Sequence, residues 1–548
     1  MSTTPKSASR PNISAQCDAI VVGAGFAGLY MLYRLLKLGM RVTIFEAGSG
    51  IGGTWFWNRY PGARCDVESL EYSYSFSEEL QQEWAWKERY ATQPEILRYL
   101  DHVAERFDLK RHVQLETRVV SAEFDETANA WTVKTDQGDV ASAQYCVMAT
   151  GCLSAASKPK VPGLDQFRGK TYHTGLWPAE PVDFTGQRVG VIGTGSSGIQ
   201  AIPEVAKQAA HLHVFQRTAN YSIPAHNAQL EPGDVQKIKN DYPQLRKKAQ
   251  ASPAGVASFG VPEKSVLDVS PQERQQTLQH RWEVGGAGFL RAYNDVVINE
   301  ESNRVVADFV RGKIRERVHD PELAELLAPT FYIGTKRVCV DTQYFETYNR
   351  ENVTLVDVKR TPIVEITAEG VRTSQAEYKL DALIFATGFD AMTGALLAMD
   401  IHRTDGTSLR QLWVHGPRTY LGLMTAGLPN LFMITGPGSP SVLSNVVVSI
   451  EQHVDWITGC LAYMADKGIT RIEADEKSQD DWVAHVNEVA DKTLLPKGAS
   501  WYVGANIPGK PRVFMPYVGG VGVYRKKCDE VASEGYRGFR LTGASARA

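Results

Sequence analysis

Two glycine-rich loops are the most informative chemical feature of the chain. Residues 23–28 and residues 193–198 both read G-x-G-x-x-G. Glycines at this spacing allow a tight turn and let a pyrophosphate approach the backbone closely. The helix that follows offers unpaired backbone N–H groups to the phosphates. Each loop therefore predicts a dinucleotide site. The predicted contacts are Gly23, Gly25, Phe26, Ala27 and Gly28 in the first loop, and Gly193, Thr194, Gly195, Ser196, Ser197, Gly198 and Gln200 in the second.

The strand that follows each loop ends in a different charge. Glu46 ends the first strand, and a carboxylate about 20 residues beyond such a loop accepts hydrogen bonds from ribose hydroxyls, which favours FAD or NAD. Arg217 and Thr218 end the second strand. Because a guanidinium meets a phosphate with two hydrogen bonds, this end favours the 2′-phosphate of NADPH over the alternative of a solvated arginine.

Two dinucleotide sites in one chain indicate a flavoenzyme in which a nicotinamide reduces a flavin. Residues 149–151, Ala-Thr-Gly, and residues 386–390, Ala-Thr-Gly-Phe-Asp, support this prediction more weakly. Each segment closes a strand with small residues, as expected where a chain crosses between two domains.

The elements that must hold the loops are two β-α-β units. In each unit a short apolar strand, at 18–23 or 188–193, precedes a helix with apolar residues at helical spacing and a second strand. The chain then becomes charged and helix-rich, and strand patterns resume at 353–357. The predicted fold class is α/β, with two interleaved Rossmann-like dinucleotide-binding domains and a helical insertion. The predicted boundaries are a disordered tail over 1–17, an FAD-binding domain from 18–152 and 389–540, an NADPH-binding domain from 153–223 and 331–388, a helical insertion over 224–330 and a frayed C-terminus over 541–548.

Charge, hydropathy and cysteine spacing narrow the class of protein. In 548 residues, 59 Lys and Arg stand against 62 Asp and Glu, which favours small-molecule ligands over nucleic acid or an anionic membrane. Residues 1–18 lack the apolar core of a signal peptide and no apolar run reaches the roughly 18 residues of a membrane span, so a cytoplasmic protein without a membrane partner is expected. The seven scattered cysteines contain no C-x-x-C pair, which argues against a metal site, a disulfide framework or a dithiol redox centre. A monomer is the default expectation.

Two long motifs resemble those of one enzyme family. Residues 167–178, F-R-G-K-T-Y-H-T-G-L-W-P, match the F-x-G-x-x-x-H-x-x-x-W-P fingerprint of type I Baeyer–Villiger monooxygenases at every defined position. Residues 52–66, G-G-T-W-F-W-N-R-Y-P-G-A-R-C-D, resemble the flavin-side motif of the same family. The resemblance covers nearly the whole chain after the tail and is nearest to the phenylacetone and cycloalkanone monooxygenase branch, including residues 436–444 and 500–506.

The resemblance implies a reaction and the residues that perform it. FAD reduced by NADPH would react with O2 to give an anionic C4a-peroxyflavin, which adds to a ketone and yields an ester or lactone, with sulfoxidation as a side activity. Arg337 aligns with the active-site arginine of the family, and its permanent charge would keep the peroxide anionic. Asp66 aligns with the carboxylate beside the flavin and the arginine. Asp66 would thus also contact FAD, and Arg337 would also contact NADP.

The same resemblance implies further contacts. Lys336 would meet the 2′-phosphate beside Arg217, Arg64 would face the nicotinamide, and Trp501 would lie on a mobile loop that folds over NADP. The remaining expected contacts with FAD are Thr54, Trp55, Tyr72 and Val119. The expected substrate pocket draws on Cys152, Leu153, Ser441, Val442, Leu443, Ser444 and Met515. A mostly apolar lining of this kind admits aryl ketones, cycloalkanones and steroids alike.

Some conspicuous residues and rival functions receive other interpretations. His173 is the only histidine of the fingerprint, but oxygen insertion into a ketone needs no obvious base, so we predict a hinge or packing role for it. Trp177 and the aromatic and apolar residues within 84–107 are predicted to lie in the core. A flavin-containing N- or S-oxygenating monooxygenase and a redox-silent flavoprotein that binds both nucleotides remain alternatives. The missing cysteine pair disfavours a disulfide reductase.

Overall fold

The computed structural model describes residues 16–543. The strands are β1 (Gln16–Val22), β2 (Val42–Phe45), β3 (Val113–Gln114), β4 (Val119–Asp125), β5 (Ala130–Thr135), β6 (Val140–Met148), β7 (Lys170–His173), β8 (Arg188–Ile192), β9 (His211–Gln216), β10 (Ser222–Pro224), β11 (Cys339–Asp341), β12 (Val353–Asp357), β13 (Ile363–Thr367), β14 (Gly370–Thr373), β15 (Glu377–Lys379), β16 (Ala382–Phe385), β17 (Asp400–Arg403), β18 (Leu431–Met433), β19 (Ile469–Ala474) and β20 (Phe539–Gly543).

Helices fill most of the chain between these strands. The α-helices are α1 (Phe26–Lys37), α2 (Thr54–Trp57), α3 (Glu78–Glu83), α4 (Gln93–Arg106), α5 (Ser196–Ala206), α6 (Pro232–Asn240), α7 (Tyr242–Ala251), α8 (Pro271–Val284), α9 (Glu300–Arg317), α10 (Pro321–Leu327), α11 (Tyr344–Thr347), α12 (Gly394–Ala398), α13 (Leu409–Leu412), α14 (Val446–Asp466), α15 (Glu476–Asp491) and α16 (Val521–Ser533). Short 3-10 helices occupy Lys110–His112, Leu164–Gln166, Thr174–Leu176, Ala287–Arg291, Ser441–Leu443, Leu495–Lys497 and Trp501–Val503. Within 16–543, no helix is both long and apolar enough to cross a membrane.

The larger sheet carries the first glycine loop. Its strands lie in the order β17-β4-β5-β6-β1-β2-β3, with β18 also paired to β6. Strand β1 is parallel to both of its neighbours, β2 and β6, so the loop after β1 opens at the carboxyl edge of the parallel part. Strand β5 pairs antiparallel with both β4 and β6, which makes the sheet mixed.

The second sheet carries the second glycine loop. It has the order β12-β9-β8-β16-β7, and all of its pairings are parallel. Strands β7, β8 and β9 come before the long helical segment, whereas β12 and β16 come after it. Because the larger sheet takes its β17 and β18 from still later in the chain, the two sheets use the chain alternately. The predicted α/β fold with two interleaved Rossmann-like units is confirmed.

Helices α6 to α10 form the helical segment between β10 and β11, two strands that pair in parallel. Helix α9 shows why this charged sequence is helical. The side chain of Asn299 caps its N-terminus by accepting hydrogen bonds from the backbone of Glu301 and Ser302. Val306 and Val310 lie one turn apart on the buried face, and charged residues cover the other faces.

Both predicted terminal boundaries need correction. Gln16 and Cys17 fall within the predicted tail, yet they belong to β1 because they pair with Ser142 and Ala143 of β6. Residues 541–543 fall within the predicted frayed end, yet they belong to β20, which pairs antiparallel with β19. The rest of the two predicted termini, 1–15 and 544–548, lies outside the described residues.

Two connectors join the sheets, the first between β6 and β7 and the second between β16 and β17, and His173 contacts both. Ser157 of the first connector donates its backbone N–H to Gly388 O of the second at 2.9 Å. His173 Nε2 lies 3.3 Å from Ser157 O and 3.2 Å from Thr387 Oγ1, while Nδ1 accepts a hydrogen bond from Gly175 N at 3.0 Å. Burial lowers the pKa of His173, which favours a neutral ring. These contacts support the predicted hinge or packing role.

The aromatic residues predicted as core are packed against other rings. Trp177 is buried, and its ring stacks on Tyr172 with centroids 5.1 Å apart. Trp86 is also buried, 5.0 Å from the ring of Tyr99 in α4. Trp84 is half-buried and meets the same tyrosine edge-on. These rings therefore contribute to stability through burial and through stacked, tilted or edge-to-face contacts.

Candidate active site

The first glycine loop can be formed only by glycine at its critical positions. Gly23 has φ of +103°, in the region that favours glycine. A Cβ at Gly28 would lie 1.8 Å from Gly23 O, so the helix approaches the loop too closely for any side chain. Gly25 is the N-cap of α1, which has no side-chain cap and no acidic residue in its first turn. The free N–H groups and the absence of negative charge fit a pyrophosphate at this helix end.

Glu46 lies where an acid is expected at the end of β2. The side chain is buried, and its carboxylate accepts hydrogen bonds from Ala24 N and Gly48 N, each at 2.7 Å. Burial raises the pKa of this carboxyl. The two backbone donors fix the carboxylate beside the first glycine loop, where ribose hydroxyls would approach it.

A row of aromatic residues extends from the first glycine loop. Phe26 meets Tyr72 edge-on at 5.3 Å, and Trp55 Nε1 donates to Tyr72 OH at 3.2 Å. Thr54 begins α2 directly after Gly53, whose Cα would lie 3.3 Å from a Cβ at Gly25. The structure thus brings these predicted contacts of FAD together around one loop.

Val119 is placed differently from the other predicted contacts of FAD. It begins β4, where it is 5% exposed, and belongs to an apolar cluster with Phe45 and Trp131. Its packing alone accounts for an apolar residue at this position.

The second glycine loop repeats the geometry of the first. Gly193 has φ of +111°, and a Cβ at Gly198 would lie 2.2 Å from Gly193 O. Gly195 begins α5, again without a side-chain cap, and faces open space. Thr194 Oγ1 donates to Thr218 O at 3.0 Å, which ties the loop to the end of β9. A second pyrophosphate therefore fits here.

Side chains in the second loop also contact neighbouring elements. Ser196 Oγ lies 3.3 Å from Cys339 Sγ in β11. Ser197 lies within hydrogen-bonding reach of the Tyr60 hydroxyl, whose pKa burial raises to about 12. The phosphate-binding end of α5 is therefore packed against the segment that contains Arg337.

Arg217 and Lys336 form a cationic pair at the end of β9. Arg217 is exposed and Lys336 is half-buried above the ring of Phe331, 4.7 Å from its centroid. Burial, and then the charge of Arg217, lower the pKa of Lys336. Among residues 16–543, neither cation has a carboxylate within ion-pair distance. Two neighbouring cations without an acidic partner form a site that fits a phosphate.

Arg337 and Asp66 form an ion pair close to residues that contact both loops. Cys339, two residues after Arg337, contacts Ser196 of the second loop, and the charges of the pair act on Tyr72, which meets Phe26 of the first loop. Arg337 Nε and Nη2 donate to the two carboxylate oxygens of Asp66 at 2.8 and 2.7 Å, and Nη1 donates to Val442 O at 2.7 Å. The charge of Asp66 is the largest influence that raises the pKa of Arg337. The pair retains 27% and 23% side-chain exposure, so it is only partly buried.

Gln200 joins the two dinucleotide-binding units. Its Oε1 accepts from Tyr60 OH at 2.8 Å and its Nε2 donates to Arg64 O at 3.1 Å. Arg64 forms a 3.3 Å ion pair with Glu88. Gln200 and Arg64 were both predicted to contact NADP, and they lie together at the interface that faces the second loop.

The predicted substrate residues gather beside Arg337. An apolar cluster, here called the pocket cluster, contains Cys152, Leu153, Ala391, Met392, Val442, Trp501, Val513 and Met515. Arg337 reaches this cluster through its hydrogen bond to Val442 O. A ketone lying in the pocket cluster would therefore have its carbonyl near the guanidinium.

The other predicted pocket residues divide between two environments. Ser441 Oγ lies 2.9 Å from Cys152 Sγ, so it faces the pocket cluster. Leu443 packs in the adjoining cluster with Tyr502 and Trp501. Ser444 Oγ donates a hydrogen bond to Ser441 O and lies 2.7 Å from Ser449 Oγ in α14. Its hydroxyl therefore has partners outside the pocket cluster.

Sequence reasoning missed Met392 and Lys510. Met392 is buried in the pocket cluster with φ of +68°, a conformation rare for methionine that no local sequence signal indicates. Lys510 donates to Ala391 O at 2.8 Å and pairs with Asp390. In the sequence Asp390 belongs to the segment 386–390, and no local pattern links it to Lys510, 120 residues further along the chain.

Comparison with known proteins identifies the family. A family model described as pyridine nucleotide-disulphide oxidoreductase matches residues 20–282. Its name refers to disulphide chemistry, but all seven cysteines of this chain are free. The model thus accounts for the dinucleotide-binding architecture.

Two curated relatives match nearly the whole chain. A Baeyer-Villiger monooxygenase of Pseudooceanicola batsensis is 42% identical over 96% of this chain and 96% of its own length. The phenazine N-monooxygenase PhzNO1 of Lysobacter antibioticus is 43% identical over 97% of this chain and 98% of its own length.

Solved structures agree with this similarity. A steroid monooxygenase bound to NADP is 50% identical, with a TM-score of 0.92 over 96% of this chain and 100% of that one. OTEMO in complex with FAD and NADP is 40% identical, with a TM-score of 0.93 over 96% of this chain and 99% of that one. The geometry of the site and these full-length similarities together show that the chain belongs to the Baeyer–Villiger monooxygenase family.

Proposed function

We propose that this protein is an FAD-containing monooxygenase that uses NADPH and O2 to convert a ketone to an ester or lactone. The Arg337–Asp66 pair, which is joined to the pocket cluster by the hydrogen bond from Arg337 to Val442 O, is the observation that carries the proposal. In the overall reaction, ketone, O2, NADPH and a proton give ester, NADP+ and water. One oxygen atom enters the ester and the other leaves as water.

The two dinucleotide sites divide the redox work. Bound FAD would supply the activation of O2, after reduction by hydride from NADPH. The first loop and Glu46 would hold FAD through its pyrophosphate and ribose, since both present donors or acceptors of the required kind. The second loop would hold NADPH, and Arg217 and Lys336 would select it over NADH by neutralising the 2′-phosphate.

Arg337 would stabilise negative charge on the oxygen that is transferred. A guanidinium keeps its charge at every physiological pH, and a fixed charge aimed at the reacting oxygen needs no reorganisation during the reaction. Asp66 would act as a positioning residue, because its two hydrogen bonds fix the plane of the guanidinium. No side chain in this account needs to act as a general base.

The pocket cluster would hold the ketone and exclude water. Its members are mainly aliphatic and sulfur-containing side chains, and Trp501 packs against them. Exclusion of water strengthens the interaction between the guanidinium and the reacting oxygen. The cluster thus supports an apolar ketone without distinguishing among aryl, cyclic and steroidal skeletons.

We propose a monomer as the working unit, because the glycine loops, the Arg337–Asp66 pair and the pocket cluster need no residue from a second copy. The near balance of 59 basic and 62 acidic residues supports a protein without a nucleic-acid or membrane partner. The location that we propose for it is the cytoplasm. Light scattering of the FAD-loaded enzyme would measure its mass, and a stable dimer would contradict the monomer.

A substrate panel tests the proposed reaction. The FAD-loaded enzyme would be offered aryl, cyclic and steroidal ketones, a thioether and phenazine, while NADPH and O2 consumption and the products are measured. We expect ester or lactone from at least one ketone class, with oxygen-dependent loss of NADPH. Formation of a phenazine N-oxide without any ester would overturn the ketone assignment and favour N-oxygenation, the activity named for the Lysobacter antibioticus relative.

A further inference from the structure

The strand that follows Arg337 carries a buried thiol. Cys339 begins β11, two residues after Arg337, and is 1% exposed. Its Sγ lies 3.3 Å from the hydroxyl of Ser196, which belongs to the second glycine loop and to the first turn of α5. We propose that Cys339 is a positioning residue that couples nucleotide binding at the second loop to the alignment of Arg337. This proposal rests on the proposed function for the role of Arg337.

The thiol of Cys339 lies in a polar environment. It accepts a hydrogen bond from Asn220 Nδ2 at 3.2 Å, and it lies 3.8 Å from Arg337 O, to which it can donate. Asn220 Nδ2 also reaches Arg337 O, at 3.5 Å. Burial raises the pKa of Cys339 to about 12, so the thiol keeps its proton and can act as a donor. The thiol therefore joins the carbonyl of Arg337 to the hydroxyl of Ser196.

Burial alone does not account for these contacts. Cys460 in α14 is also buried, yet among the described residues its thiol has no hydrogen-bond partner. A cysteine of that kind behaves as a small apolar residue. At Cys339, an apolar side chain would remove an acceptor from Asn220 and a partner from Ser196, which costs free energy. The polar character of Cys339 is therefore used.

The other ends of these contacts lie where the nucleotide would bind. A pyrophosphate at the start of α5 would fix Ser196, and the hydroxyl of Ser196 would then hold the thiol. Asn220 follows Arg217 by three residues, and its Oδ1 accepts from Tyr221 N at 3.0 Å. The backbone N–H of Cys339 donates to Tyr221 O, also at 3.0 Å. Both the pyrophosphate end and the 2′-phosphate end of the nucleotide site are thus connected to Cys339.

The backbone position of Arg337 decides what its guanidinium can reach. The guanidinium makes two hydrogen bonds to Asp66, of 2.8 and 2.7 Å, and one to Val442 O, of 2.7 Å. Because all three bonds are short and directional, a displacement of the Arg337 carbonyl would lengthen at least one of them. A continuous chain of packed polar contacts can carry coupling of this kind. Nucleotide binding would thus hold the arginine in its working orientation.

Alanine and serine variants separate the polar role of Cys339 from packing. The two side chains are similar in size, but serine can donate and accept whereas alanine cannot. In FAD-loaded Cys339→Ala with saturating NADPH, we expect the ester formed per NADPH consumed to fall by about threefold to tenfold, as loss of a hydrogen bond does. Cys339→Ser should retain most of this ratio. KM for NADPH should change by less than about twofold in both variants, because the phosphate contacts remain.

Hydrogen exchange tests the coupling without turnover. The FAD-loaded enzyme would be compared with and without NADP+, while mass spectrometry follows exchange of the backbone amides of 337–341. We expect NADP+ to slow this exchange by about tenfold in the unaltered enzyme and in Cys339→Ser, but by less than about twofold in Cys339→Ala. If the unaltered enzyme formed no ester, the ketone assignment would fail, and this measurement would still decide the role of Cys339.

Cys460→Ala and Cys460→Ser are the matched controls, because they alter a buried thiol without a polar partner among the described residues. Both should keep the ester ratio and the effect of NADP+. Asn220→Ala removes the donor to the thiol and should reproduce the losses of Cys339→Ala. The proposal would be overturned by an unimpaired Cys339→Ala, by equal losses in Cys339→Ala and Cys339→Ser, or by the same effect of NADP+ on exchange in both variants and the unaltered enzyme.

Discussion

At the scale of single residues, one charge pair carries most of the chemistry that we propose. Arg337 and Asp66 are far apart in sequence and meet with two nearly parallel hydrogen bonds of 2.8 and 2.7 Å. The pair stabilises the charged guanidinium and also fixes its orientation, because two planar groups joined by two hydrogen bonds hold a common plane. A lysine would keep the charge but lose the orientation.

Removal of the guanidinium should therefore abolish oxygen transfer without loss of FAD. For Arg337→Ala we expect kcat for ester formation to fall by about 100-fold to 1,000-fold or more, the effect of removing a preorganised electrostatic donor. The measurement is ester formed per bound FAD. Arg188→Ala is the matched control, because Arg188 binds Asp381 with the same two-bond geometry, at 3.0 and 2.7 Å, on the surface. Unimpaired turnover in Arg337→Ala would exclude the proposed role.

Cofactor preference also belongs to individual residues. In Arg217→Gln and Lys336→Met we expect KM for NADPH to rise by about tenfold or more, since each loses a charge-assisted contact worth about 1.5–3 kcal/mol. KM for NADH should change little. Lys170→Met, an exposed cation at the opposite end of the same sheet, is the control. An equal rise for both cofactors would contradict selection through the 2′-phosphate.

At the scale of elements, the segment 501–513 decides how the pocket is closed. Trp501 and Val513 at its two ends both pack in the pocket cluster. Between them, Asn506 Nδ2 donates to Phe389 O at 2.7 Å and Lys510 pairs with Asp390. The segment is therefore tied to the connector that leads into Met392.

Release of this tie should loosen the pocket. For Lys510→Met we expect the hydrogen peroxide released per NADPH consumed to rise by about fivefold, because loss of about 1 kcal/mol from the docked segment admits water to the site. The Lys510 side chain is only 10% exposed, whereas Lys497, just before the segment, forms an exposed ion pair with Glu300. Lys497→Met should thus behave like the unaltered enzyme. Equal uncoupling in the two variants would argue against a specific tie.

At the scale of the whole molecule, the two units are held together by buried polar contacts at several places. His173 binds both connectors, and Gln200 bridges to Tyr60 and Arg64. Within the FAD-binding unit, His453 in α14 joins two further segments by hydrogen bonds. Its Nδ1 accepts from Thr435 N at 2.9 Å, and its Nε2 lies 2.9 Å from Tyr524 OH. Because Nδ1 must accept, this ring has to be neutral.

Stability should consequently fall in mild acid. Burial lowers the pKa of His453 to about 3, below the value of about 6.5 for an unfolded chain. A lowered histidine pKa means that the unfolded chain binds the proton first, so the contribution is complete above about pH 6.5 and is lost as the pH falls toward 3. Between about pH 7 and about pH 5, this one group should cost about 2 kcal/mol of unfolding free energy.

Urea unfolding of His453→Gln at both pH values checks this expectation. Glutamine can accept from Thr435 N and donate to Tyr524 OH without titrating, so its loss of stability on acidification should be smaller by that amount. His280→Gln, at an exposed position, is the control. The same pH dependence in all three proteins would rule out His453 as its source.

The sequence by itself determined the fold class and the two kinds of cofactor site, because these depend on local patterns. The glycine spacing, the acid at Glu46 and the cation at Arg217 each lie within one β-α-β unit. The structure needs glycine at Gly28 and Gly198 because neighbouring backbone leaves no space for a Cβ. No local pattern joins Arg337 and Asp66, so only the family resemblance indicates that they act together.

Only the tertiary structure decided which distant residues meet. The pocket cluster combines Cys152, Met392 and Met515 from three separate parts of the chain, and Lys510 reaches a connector that precedes it by many residues. The positive φ of Met392 and the bridging of two units by Gln200 likewise follow from packing between elements. Such contacts are imposed by the interleaving of the two sheets, so the local sequence holds no signal for them.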